Sequence, residues 1–180
     1  MRRLNSISNI RILIILKLVS KTYAILSDCS ISIWKYCLYS WLLTTIPAII
    51  IMKAIALVFN IEDGDKVNAV HFDDLFNIFK NIALNPAIET FIIAFFIYWL
   101  KQFFDKKIYI IIISTLLFAA LHFRFEYPFW FFGVLWPSFI LSMSFLTWRS
   151  VSFWKAYTVC AVIHILHNGS GYILMKFIEI

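Results

Sequence analysis

Charge in this chain comes in clusters, and between the clusters lie apolar runs long enough to cross a bilayer. Trp34 to Phe59 is one such run, with Trp34, Tyr36, Tyr39 and Trp41 as an aromatic belt and Lys53 as an internal charge. Others extend from Asn85 to about Phe104, from Ile108 to His122, from Tyr127 to Thr147 with Pro137 as a kink, and from Val151 to Met175. In hydrocarbon each backbone N–H and C=O must be satisfied within the protein, so runs of this length are read as helices. With 62% of the 180 residues hydrophobic and 14% charged, a solvated globular surface is excluded. The expected fold class is all-α: a polytopic transmembrane helical bundle of about five spans, integral to a membrane, plus one or two interfacial helices.

The organisation follows from the same pattern. Residues 1–33 form an N-terminal interfacial region, because the stretch 10–27 mixes Ile and Leu with Arg11, Lys17 and Lys21 and is too charged to span. Residues 34–180 form the transmembrane domain. A second interfacial helix is suggested by Val70, Phe72, Leu75, Phe76, Ile78 and Phe79, at the end of an acidic loop that starts at Glu62. Asn85-Pro86 reads as an N-cap followed by proline at the first helical position, which starts the second span there. The net charge of +6 collects at the N-terminus and in loops around Lys106 and Arg149, so it describes topology and not a nucleic-acid partner. That places those loops inside and the acidic loop and C-terminus outside. Cys29, Cys37 and Cys160 show no metal or disulfide spacing and are expected to pack.

Glu89 is the one acid in the run that continues through Phe91, Ile93 and Phe96 to Leu100. An ionisable group at the centre of a span costs roughly 2.5–3.5 kcal/mol on insertion scales, so Glu89 is a functional candidate whose partners are other buried polar residues. Two later runs supply them: one ends Phe118-Ala119-Ala120-Leu121-His122, and the other contains His164-Ile165-Leu166-His167-Asn168. At about 1.5 Å per residue, Glu89, His122 and His164 each lie roughly 20 Å from the inner ends of their spans, a common depth. His164 and Asn168, four apart, share a helical face.

These residues resemble the motifs of the CPBP family of intramembrane endopeptidases, which includes CAAX prenyl proteases of the Rce type and bacteriocin-processing relatives. The resemblance covers residues 85–170. Glu89, after Pro86, matches the first glutamate of Glu-Glu-x-x-x-Arg; Phe118 and His122 match Phe-x-x-x-His; His164 and Asn168 match His-x-x-x-Asn. Thr90 and Ala94 stand where the family has its second glutamate and its arginine. The resemblance implies an intramembrane glutamic-type protease without a cofactor, in which Glu89 and His122 activate a water and His164 and Asn168 hold the oxyanion. It further implies a membrane-associated peptide or protein as substrate and a bacterial cytoplasmic membrane as location.

Three other readings stand beside it. Glu89, His122, His164 and His167 are a possible ligand set for zinc, although the HExxH context is absent. The departures at Thr90 and Ala94 suit a catalytically inactive relative that binds a membrane-active peptide, such as a bacteriocin immunity protein. A small transporter would require a polar stripe reaching the inner face, and Lys155 is the only candidate for one.

Overall fold

The computed structural model describes residues 17, 20–59, 75–123 and 129–177. Five helices make up most of these: α1 (Ile33–Val58), α2 (Leu75–Leu100), α3 (Lys107–Leu121), α4 (Phe129–Arg149) and α5 (Phe153–Phe177). Among the described residues there is no strand. Residues 20–26 are helical and end at the buried Leu26, whose carbonyl accepts bonds from Tyr36 Oη at 3.0 Å and Thr147 Oγ1 at 2.8 Å. Residues 10–16, 18 and 19 of the interfacial helix expected over 10–27, and all of the acidic loop between Glu62 and Asp74, lie outside the described residues.

Side-chain pairings give the helix directions. Tyr36 meets Trp148 edge-on and Trp136 bonds to Leu43, so α1 and α4 run antiparallel. Glu89 faces His164 and Asn81 faces Asn168, so α2 and α5 run antiparallel. Cys37 reaches Val159 and Thr45 reaches His167, so α1 and α5 are parallel.

The bundle is apolar on the outside. The most apolar 18-residue stretch of α1 has a mean hydropathy of 2.1, yet 17% of it is buried inside the protein. Trp34, Ile50 and Leu57 of α1 and Phe95 of α2 are exposed, whereas Ser40, Thr44, Thr90, Ser114, Ser138 and Ser142 are fully buried. A water-soluble protein would reverse that distribution; lipid makes it favourable, because small polar side chains let helices approach closely. Several satisfy themselves on the preceding turn, as Thr44 does on Ser40 and Ser138 on Val134, and Ser114 bonds across to Ser142 at 3.0 Å. Three helices, Ile33–Val58, Leu75–Leu100 and Trp130–Arg149, are long and apolar enough to cross a membrane.

The start of α2 corrects the sequence reading. Leu75–Phe79 is not a separate interfacial helix, and Asn85 is not an N-cap. The helix runs through Asn85 by widening into a π-helical segment, Lys80–Leu84, where the Asn85 N–H reaches back five residues to the Lys80 carbonyl. Proline has no N–H and crowds the preceding turn, and a π segment relieves that strain without ending the helix.

Pro47 creates the same shortage in α1, because the Leu43 carbonyl loses its main-chain donor. The Trp136 indole N–H of α4 donates to that carbonyl at 2.6 Å. Trp136→Phe keeps a ring and removes the donor, so it should lower stability by about 1–3 kcal/mol, the cost of an unpaired buried acceptor. Pro47→Ala in the same chain supplies the missing N–H and should recover most of the loss. Thermal unfolding in detergent, followed by exposure of the buried Cys37 and Cys160 thiols, reads both. Equal losses with and without the proline would mean that Trp136 acts through packing alone.

Candidate functional site

Three of the expected residues converge. Glu89 lies in α2 just beyond Pro86, with its carboxylate between two imidazoles: Oε2 is 3.3 Å from His164 Nε2, and Oε1 is 4.0 Å from His122 Nε2. Phe118 is buried between the rings, its centroid 4.8 Å from that of His122 and 6.4 Å from that of His164. One aromatic side chain therefore limits how either histidine can turn. The site is reachable from one side, since His122 and Glu89 keep 32% and 27% of their side-chain surface while His164 keeps 7%.

The hydrogen bonds define the tautomers. His122 follows the last residue of α3, and its main-chain N–H turns to Ala119 and Ala120, leaving the Phe118 carbonyl free as helix-end carbonyls are. His122 Nδ1 lies 3.0 Å from that oxygen. A carbonyl can only accept, so Nδ1 carries the proton and Nε2 of the neutral ring presents a lone pair toward Glu89 Oε1. His164 is the converse. Its Nδ1 is buried with no hydrogen-bond partner, so its proton belongs on Nε2, where it donates to Glu89 Oε2. The carboxylate is thus held on one oxygen, and its other oxygen faces a second acceptor across a gap.

Asn168 shares the His164 face but does not join this group. Its Nδ2 donates to the Asn81 carbonyl of α2 at 3.3 Å. His167 points elsewhere, with Nδ1 3.2 Å from Thr45 Oγ1 of α1. The alternative zinc set of Glu89, His122, His164 and His167 is therefore not assembled, because residue 167 lies a turn away on the α1 side of α5. Among the described residues, no group of three His, Cys, Asp or Glu side chains is arranged to hold a metal ion.

Thr90 and Ala94 are buried in the bundle. Thr90 Oγ1 donates to the Pro86 carbonyl at 2.7 Å. Arg149 does not replace the absent arginine, since it bonds to the Tyr98 hydroxyl and covers that ring at 5.1 Å, at the far end of α2. Arg124 lies outside the described residues.

Asn81 and Tyr157 were not singled out by sequence, and Asn85 was read only as an N-cap. Asn85 Nδ2 donates to Asn81 Oδ1 at 3.1 Å, and Tyr157 Oη donates to the Ala87 carbonyl at 3.2 Å. The signal was present as the four-residue spacing Asn81, Asn85, Glu89, one polar face of a helix. A cavity of about 620 Å³ opens between α1, α3 and α4, lined by Ile51, Ile55, Ile112, Leu116, Phe132 and Trp136 among others. Its lining includes none of Glu89, His122 or His164. Compared with known protein families, curated proteins and solved structures, the chain matches none.

The two histidines of α5 should separate cleanly. Dicyclohexylcarbodiimide, an apolar reagent that captures protonated carboxyls, should label Glu89 at an altered rate in His164→Ala and at the wild-type rate in His167→Ala. The latter should lose about 0.5–1.5 kcal/mol of stability with its bond to Thr45. Equal changes in labelling from both substitutions would contradict the assignment of His164 alone to Glu89.

Proposed function

We propose that this chain is a five-pass integral protein of a bacterial cytoplasmic membrane that hydrolyses a peptide bond in a membrane-associated peptide or protein. What carries the reading is the pair of acceptors facing each other over 4.0 Å, Glu89 Oε1 and His122 Nε2. Two acceptors cannot bond to one another, but a water between them can donate one hydrogen to each. Its oxygen is then left with lone pairs directed outward. Water oxygen adds to the scissile carbonyl carbon as Glu89 takes the proton, and the same proton passes to the departing amine as the C–N bond breaks. The products are a carboxyl and an amine. General-base assistance of this type contributes about 10²–10⁴-fold.

His164 completes the arrangement. While Glu89 is ionised, the His164 Nε2–H orients the carboxylate; once Glu89 holds the proton, that N–H is released to the oxyanion. Asn168, the other donor implied by the resemblance to CPBP endopeptidases, is spent on Asn81. The order Glu89, Phe118–His122, His164–Asn168 supports the same family reading.

One observation favours a second reading. Thr90 and Ala94 are buried and bring no second carboxylate or guanidinium to Glu89, as suits an inactive relative that binds a membrane peptide. Glu89→Gln distinguishes the two. It should reduce cleavage of lipid-anchored leader-type peptides in proteoliposomes, followed by mass spectrometry, by about 10²-fold or more with little change in fold. His122→Ala should behave alike. Cleavage that survives Glu89→Gln ends the hydrolase reading, and protection of cells from a membrane-active peptide that survives it favours the binder. Activity lost to a chelator and restored by zinc would instead favour a metal-dependent mechanism.

A further inference from the structure

The turn before Glu89 contains a carbonyl that its own helix cannot satisfy. In Lys80–Leu84 the N–H of Asn85 goes to Lys80, which skips the Asn81 oxygen, and the next residue, Pro86, has no N–H to offer. In an apolar medium such a group costs several kcal/mol if unpaired. Its donor comes from α5: Asn168 Nδ2 lies 3.3 Å from the Asn81 oxygen. The two helices are close here, since a Cβ at Gly169 would sit in ordinary van der Waals contact, 3.6 Å, with Ile82 Cγ2. Four residues before Asn168, on the same face, His164 holds Glu89 Oε2 at 3.3 Å. One face of α5 therefore grips α2 on both sides of Pro86.

We propose that Asn168 is a positioning residue, and not an oxyanion donor: its carboxamide replaces the N–H that Pro86 lacks and locks the π-helical turn in the register that aims Glu89 at His164. A π segment carries one residue more than the α-helix it interrupts. Relaxing it turns the preceding helix by about 100° relative to Glu89 and breaks the seam with α5. The assignment rests on the contact between Glu89 and His164, and so on the site proposed above, but not on hydrolysis.

The test is a double-mutant cycle with two readouts that need no substrate. Asn168→Ala should lower the thermal midpoint for exposure of the buried cysteines and should speed dicyclohexylcarbodiimide labelling of Glu89 several-fold, as the carboxyl loses its hold on His164. Pro86→Ala, which supplies a main-chain N–H, should by itself leave labelling near the wild-type rate. In Pro86→Ala/Asn168→Ala both quantities should return toward wild type. Asn168→Gln, which retains a donor, should fall between wild type and Asn168→Ala. Should Asn168→Ala fail to fold, the double variant must fold. The proposal is overturned if Asn168→Ala labels as wild type does, or if its defects are the same with and without the proline. An inactive chain passes or fails this cycle on the same terms as an active one, so loss of the hydrolase reading and loss of this one are distinct results.

Discussion

A main-chain carbonyl that its own helix leaves unpaired must be answered from another element, and in this bundle the answers come from side chains. Trp136 answers Leu43, and Asn168 answers Asn81. At the C-terminus of α3 the His122 ring does the same for Phe118. Apolar attraction between helices is weak where lipid is as apolar as leucine, so directional bonds and close packing of small residues carry much of the specificity. The bonds at Pro47 and Pro86 are the most telling, because each proline creates a need in one helix that only one neighbour in one register meets.

The site shows how a terminus and a helix interior can be used for different tasks. His164 is deep in α5, enclosed by Phe118 and the start of α2, and has one orientation available. His122 stands where α3 ends, a third of its side chain exposed, with a free lone pair directed at the carboxylate. The rigid histidine acts on Glu89 itself. The accessible one faces the gap from which a small polar molecule can enter.

Much of this was legible in the residues. The apolar runs correspond to helices that begin and end within a few residues of the expected limits for α1, α3, α4 and α5, because length and the clustering of charge determine spans in lipid. The convergence of Glu89, His122 and His164 followed from their common depth. Asn85-Pro86 misled, because an N-cap followed by proline and a π-helical passage through proline have the same local sequence. What separates them is whether a neighbour can answer the freed carbonyl, a tertiary fact. The direction of His167 was hidden for a related reason. Its offset of three residues from His164 leaves it near two helices, and only the packing of α1 with Thr45 decides which one it serves.

If α3 is a span, as in the five-pass arrangement proposed above, its length has a consequence for the bilayer. Fifteen residues rise about 22 Å, against a hydrocarbon layer of about 30 Å, and the helix ends next to His122. A span that falls short is accommodated by thinning of the surrounding lipid, with headgroups and their hydration drawn down along its flank. On the five-pass arrangement, the dimple forms beside the accessible histidine. The membrane itself would then be part of the path by which water reaches Glu89, and the thickness of the host lipid would set how readily it is filled.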